Sequence, residues 1–151
     1  MTALQIDDQV TIHAPVTRVW EAIRDPVMHA KWHPFATRIS GEHKLGAVRK
    51  CEVKVGSKSG QTEERCNTYE RERRITWLIE TDTTGFSGMV SDWTAGFSLE
   101  AQGPNAVLVI AQSAFRPKNF LVRLAMPLIR RKFHQTQRVI LGGLKQFVEA
   151  H

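Results

Sequence analysis

Residues 126–149 read MPLIRRKFHQTQRVILGGLKQFVE, and their spacing decides the fold. Ile129, Phe133, Thr136, Ile140, Gly143 or Leu144, and Phe147 recur at helical intervals and share one face. Arg131, Arg138 and Lys145 fall seven apart on the opposite face. A helix this amphipathic needs a broad apolar surface to lie on. Pro117 is placed to start the helical region, and Pro127 to kink or split it, because proline removes a helix hydrogen bond and clashes with the preceding turn. Gly142 and Gly143 sit mid-helix, where each costs about 1 kcal/mol against alanine. Gly143 lies on or beside the covered face, so its missing side chain either lets a strand approach or leaves room for a ligand.

The preceding sequence supplies the surface. Residues 4–13 alternate, with Leu4, Ile6, Val10 and Ile12 on one side, as in a strand. A short helix follows, carried by Val16, Val19, Trp20 and Ile23 and ended at Asp25-Pro26. VMHAKWHPF adds a helical turn or two, stopped by Pro34. Residues 47–55 and 61–69 then flank GSKSGQ as a hairpin. Charge suggests a register that pairs Glu52 with Arg65 and Lys54 with Glu63. The inward face then carries Arg49, Cys51, Val53 and Val55 against Thr62, Glu64, Cys66 and Thr68. Strands over 75–82, 89–100 and 106–115 complete an antiparallel series, with Trp77, Trp93 and Phe97 on the inward parity.

This order is strand, two short helices, a run of strands and a long C-terminal helix. It resembles the START-like superfamily, closest to its polyketide cyclase/dehydrase-like branch. The segments that carry the likeness are APVTRVWEAIRDP, KWHPF, ERCNTYERERRITW, DWTAGFSLE and RRKFHQTQRVILGGLKQFVE. The resemblance implies an α+β helix-grip fold: a curved antiparallel sheet of six to seven strands around the C-terminal helix, with a cavity between them. It implies binding of lipids, polyketides or other hydrophobic molecules, and in some members cyclisation, dehydration or hydrolysis. Trp32 matches the family's tryptophan in the lid-like segment, placed to cover a cavity mouth. The iron motif of ring-hydroxylating relatives is missing.

Composition narrows the classes. The chain has 151 residues and a mass of 17.1 kDa, which is the size of one ordinary domain. Two cysteines cannot build a disulfide scaffold. No run approaches the length of a membrane span. MTALQIDDQV lacks the features of a secretory signal, so the cytoplasm is the expected compartment. The net charge is +6, and eight bases lie between Arg116 and Lys145, with no acid between Glu100 and Glu149. That segment is either a solvated helix face or a contact for an anionic membrane or a ribosome. Nucleic-acid motifs are absent, so no specific nucleic-acid partner is expected.

The candidate site residues follow from the inward faces. Glu64 beside Val53 and Ile79 must be paired, hydrogen-bonded or protonated. A raised pKa would make it a general acid or base. Arg49 is either its ion-pair partner or the holder of a ligand carboxylate or carbonyl. Asp8 has apolar parity too, but reads as a strand-end residue reaching solvent. Trp77, Trp93 and Phe97, with Ile140 and Gly143 across from them, line a pocket for a flat hydrophobic molecule or simply fill the core. His29 and His33 are four apart, as in some zinc sites, but no glutamate follows His29 and no third ligand is evident. No metal or cofactor is therefore expected, and His33 reads instead as lining the cavity mouth. Cys51 and Cys66 fall opposite each other as small buried hydrophobes. His13 and His134 are isolated in pattern.

Three functions fit this reading. The first is binding of a small hydrophobic molecule. The second is an enzyme of the cyclase, dehydratase or hydrolase type that uses Glu64 and Arg49. The third is an interaction protein acting through the basic helix.

Overall fold

The computed structural model describes residues 3–150. Its elements are β1 (Leu4–Ile12), α1 (Val16–Arg24), α2 (Pro26–Trp32), β2 (Ala36–Ser40), β3 (Val48–Val55), β4 (Lys58–Glu70), β5 (Arg74–Asp82), β6 (Val90–Ala101), β7 (Val107–Pro117), α3 (Phe120–Leu124) and α4 (Met126–Ala150). The strands form one antiparallel sheet in the order β1-β7-β6-β5-β4-β3-β2. Bulges interrupt β4 at Glu63/Glu64 and Cys66/Thr68, and β6 between Ser91 and Thr94. Each adds local twist and bends its strand. The sheet curves around α4 as a helix-grip fold requires.

Local chemistry sets the element ends. Asp25 closes α1, its N–H donating to the Glu21 carbonyl. Its carboxylate then caps α2 by accepting from the N–H groups of Val27 and Met28. Asn119 caps α3 in the same way, accepting from the Val122 N–H. Pro117 therefore ends β7 instead of starting a helix. Pro127 lies in the first turn of α4, where its missing N–H has no partner to lose.

Three sequence expectations need correction. The hairpin turn is the two residues Gly56-Ser57, not GSKSGQ, because Val55 pairs with Lys58. Gly56 takes the left-handed backbone at φ 61° that this tight turn needs. The tighter turn slides the register: Arg49 now faces Glu64, Lys50 faces Glu63, and Cys51 faces Thr62. Opposite charges still meet, but through different residues. Cys66 instead lies across from Trp77 on β5, and both cysteines are buried and free. The slide spans an even number of residues in sum, so the inward parity survives. A short strand, β2, had no alternation strong enough to mark it.

The third correction is the rotation of α4. Its buried residues are Gln137, Leu141, Leu144 and Val148, one position round from the expected stripe. Ile140 and Phe147 flank that stripe, half-buried. A small cluster of Ala36, Ile39 and Cys51 lies on β2 and β3, and the rest of the described core falls into two. One joins α1, α2 and the C-terminal half of α4 to the sheet through Trp20, Ile75, Trp77, Phe97, Leu99 and Leu144. The other gathers Trp93, Phe133 and Met126 around Ile6, Val90 and Phe115.

Gly143 answers the question its sequence position raised. A Cβ there would stand 2.9 Å from the Trp32 carbonyl oxygen and 3.5 Å from Pro34 Cδ. The space is taken by the end of α2, neither by a strand nor by a ligand. Gly142 has nothing within 4 Å of its notional Cβ. Gly142→Ala should therefore stabilise the protein by up to about 1 kcal/mol through helix propensity. Gly143→Ala gains the same propensity but must push backbone aside, for a net loss of about 1–2 kcal/mol. Urea unfolding of the two variants checks the opposite signs.

Candidate functional site

The inward faces of β3 and β4 place a charged group inside an otherwise apolar wall. Arg49 is 7% exposed. Its Nε and Nη2 donate to Glu64 Oε1 at 2.9 and 2.7 Å. Thr62, two residues before Glu64 and on the same face, donates its hydroxyl to Glu64 Oε2 at 2.6 Å. The remaining guanidinium nitrogen, Nη1, reaches His43 Nε2 at 3.0 Å. The guanidinium carbon stands 3.6 Å from the centroid of the Trp77 ring, a cation–π contact. Direct pairing across the ladder follows from the Gly56-Ser57 turn, which brings Arg49 and Glu64 level.

Aromatic rings cover this cluster from α2 and the loop beyond it. His29 stacks on Trp32, with centroids 4.7 Å apart and planes 8° from parallel. His29 also approaches His43, Trp77 and Phe97. Trp32 is buried, and its Nε1 donates to the Ala22 carbonyl at 2.7 Å. The tryptophan expected over a mouth is thus tied to the end of α1. His29 Nδ1 bonds the Ile23 carbonyl in the same way. His33 ends α2, and its Nδ1 accepts from the N–H groups of Phe35 and Ala36. The rings of His29 and His33 are 5.4 Å apart. Among the described residues no group of three His, Cys, Asp or Glu side chains converges as a metal ion would require.

Three buried side-chain polar atoms are left over among the described residues. Trp77 Nε1 is buried without a hydrogen-bond partner, as is Trp93 Nε1 in the second cluster. A buried donor left unpaired costs about 1–3 kcal/mol. His43 Nδ1 also lacks a full hydrogen bond, although the carbonyls of Ile23 and Arg24 lie near enough to favour a proton on it.

The electrostatics separate the titratable groups. For Glu64, burial pushes the pKa up, but the Arg49 charge, the Thr62 hydroxyl and the Arg49 N–H groups together hold it below the usual carboxylate value. The carboxylate is therefore ionised, and the raised pKa that proton transfer would need is not present. Burial, reinforced by Arg49, holds His33 and His43 neutral, with pKa values of about 4. His29 moves in the same direction for the same causes. Burial also pushes the Cys51 thiol up to about 11, so it is no nucleophile at neutral pH.

Asp8, expected to reach solvent, is drawn inward. Its Oδ2 accepts from His134 Nδ1 and from Gln137 Nε2, both at 2.8 Å, and its Oδ1 from Arg138 Nε at 3.3 Å. Gln137 Oε1 in turn accepts from Ser113 at 2.7 Å. Sequence reading missed Gln137 and His43. Gln137 had a signal, a lone amide at helical spacing between Phe133 and Leu141. His43 sits in a loop with no periodic pattern. Outside the core, a groove of about 380 Å³ opens between α1, α2 and the end of α4, lined by Thr17, Arg18, Glu21, Ala22, Met28, Phe147 and Val148.

A curved seven-stranded sheet gripping a C-terminal helix defines the START-like, helix-grip class. The chain belongs to the polyketide cyclase/dehydrase and lipid transport family, whose model matches residues 3–149. No curated protein sequence matches it. Solved structures share the fold at low identity. The Zhui aromatase/cyclase from a Streptomyces species is 15% identical, with a TM-score of 0.77 over 98% of this chain and 94% of that one. A START superfamily protein from Mycobacterium smegmatis is 13% identical, with a TM-score of 0.78 over 97% of each chain. Norcoclaurine synthase from Thalictrum flavum, solved in complex with dopamine and hydroxybenzaldehyde, is 12% identical, with a TM-score of 0.76 over 99% of this chain and 88% of that one. No helix among the described residues is long and apolar enough to cross a membrane.

Two predictions test the electrostatics. Arg49→Met strands the Glu64 carboxylate and should cost about 3–5 kcal/mol, whereas adding Glu64→Gln to that variant should recover most of the loss. Urea midpoints of the two variants decide it. The second concerns pH. In the unfolded chain the three histidines take up protons below about 6.5, while the folded protein holds His33 and His43 neutral down to about 4. Stability is then full above that range and falls as pH drops through it, by roughly 3 kcal/mol for each of His33 and His43. Glu64 adds a further loss below 4.5, as pH falls towards its depressed folded value. His43→Gln should flatten the upper part of the decline in a pH series of urea titrations.

Proposed function

We propose that this chain binds a small, flat, hydrophobic molecule carrying one hydrogen-bond acceptor, between the inner sheet face and α4. The observation that carries this is the unpartnered Trp77 Nε1–H, buried beside the Arg49 guanidinium. A ligand carbonyl or hydroxyl oxygen would satisfy that donor. The rings of Trp32, His29 and Phe97 supply faces and edges for a planar guest. Ile140 bounds the same seam from α4, Gly143 lies outside it against the end of α2, and His33 stands where α2 ends. The rings now in contact must part to admit it. The α1–α2 joint is the natural place, because the open groove already reaches Ala22 and Met28 there.

Glu64 has a different part in this reading from the one its position first suggests. An ionised carboxylate that accepts three hydrogen bonds has no proton to donate, and its lowered pKa makes it a weak base. Its work is to hold Arg49 over Trp77, so that the site presents a fixed guanidinium to an electron-rich oxygen. That favours binding over acid–base catalysis for this cluster. Trp93, in the other aromatic cluster, plays no part in it.

Quenching of tryptophan fluorescence by 2-acetylnaphthalene and by naphthalene tests the proposal. The ketone should bind about three- to tenfold more tightly, the worth of one hydrogen bond. In Trp77→Phe, which removes the donor and keeps an aromatic ring, that preference should vanish while naphthalene still binds. Equal preference in the two proteins, or amide shift changes confined to the outer groove, would overturn it.

A further inference from the structure

The segment after β7 is apolar on both of its sides. Val122, Met126, Ile129 and Phe133 turn inward onto Ile6 and Phe115. Phe120, Leu121, Leu124 and Leu128 turn outward, at 67, 75, 63 and 73% exposure. They fall within nine residues, on α3 and the first turn of α4, so one short stretch of chain exposes all four. Singly exposed leucines are ordinary, but four large apolar side chains on one helical corner are not.

The charge along this segment has one sign, since no acid lies between Glu100 and Glu149. Arg123, Arg130, Arg131 and Lys132 are exposed, and among the described residues they enter no salt bridge. Lys118, also exposed, is bound to the Ser87 carbonyl through one donor. Further along α4 the bases are engaged: Arg138 with Asp8, and Lys145 with Glu149 and the Thr11 carbonyl. The unpaired positive charge is thus gathered beside the exposed apolar face and nowhere else on the helix.

We infer that this corner docks the protein onto an anionic lipid surface. The apolar tips enter the boundary between headgroups and acyl chains, and the flanking bases meet the lipid phosphates. A nucleic-acid backbone would engage the bases but leave the leucines in water. An anionic bilayer satisfies both. The basic stripe expected from sequence at Arg131, Arg138 and Lys145 is replaced here: two of its three members face β1, and the docking surface lies one end over, at α3. The inference stands whether or not the interior takes a ligand.

Co-sedimentation of the whole chain with vesicles tests it. Vesicles of equal parts phosphatidylglycerol and phosphatidylcholine should pull the protein down, and vesicles of phosphatidylcholine alone should not. Binding should decline steeply as salt rises. The double variant Leu121→Glu, Leu128→Glu should bind at least about tenfold more weakly with an unchanged thermal transition, because the altered positions are exposed. Val139→Glu, exposed on another part of α4, should bind like the native chain. Equal binding to both vesicle types would overturn the inference, as would full binding by the double variant. So would a native dimer in sedimentation velocity that the double variant dissolves while vesicles capture neither, since the face would then be an interface between copies.

Discussion

One buried amide decides how α4 lies on the sheet. Gln137 is 4% exposed, and each end of its side chain is taken: Oε1 by Ser113 of β7, Nε2 by Asp8 and the Ile6 carbonyl of β1. A buried polar group without partners is costly, whereas a satisfied one is specific in direction. Turning α4 by one residue would break all of these bonds and bury the amide against hydrocarbon. The apolar residues alone set a weaker limit, because Ile140 and Phe147 flank the buried stripe with large apolar side chains of their own. The belt from Ser113 through Gln137 and Asp8 to His134 lies between the two aromatic clusters and fixes both. Below it Leu141, Leu144 and Val148 close on Trp20 and Trp77. Above it Phe133 closes on Phe115.

The same reasoning separates a stabilising device from a site. An ion pair as buried as Arg49 with Glu64 seldom makes a fold more stable than hydrophobic residues of similar size would. Here the pair also draws in Thr62, His43 and the Trp77 ring. None of this is needed to join β3 to β4, which the hairpin turn and ladder already do. A cluster that costs desolvation, leaves the Trp77 N–H unpaired and is sheathed in aromatic rings makes physical sense if it recognises something.

Periodicity made most of the fold legible. The alternation in β1 and β5–β7, and the 3.6 spacing of the last helix, were enough for the architecture, because burying one face leaves a repeating mark. Inward parity likewise exposed Arg49, Glu64, Trp77 and Phe97 as a group. What stayed hidden depended on single events that leave no repeat. The Gly56-Ser57 turn moved the hairpin register, since opposite charges fit two alignments and only turn geometry chooses between them. The sign of the Glu64 shift could not be read while its partner was a diagonal neighbour. Gly143 gave no hint that the end of α2 would fill its space, because the contact joins residues more than a hundred positions apart. His43 enters from a loop whose path no pattern encodes.

The belt has a further consequence for the outer surface. Because Gln137 fixes the rotation of α4, the residues on its first turn cannot roll Leu128 inward without losing Ile129 and Phe133 from the upper cluster. Asn119 holds α3 in the same sense by capping it at the Val122 N–H, so Phe120 and Leu121 are committed outward together with Leu128. The exposure of that face is therefore imposed by contacts on the opposite side of the segment, and relaxation of the free chain would not hide it. A surface that folding itself holds open to water, and that carries uncompensated positive charge, gains stability only by meeting a partner that is apolar and anionic at once.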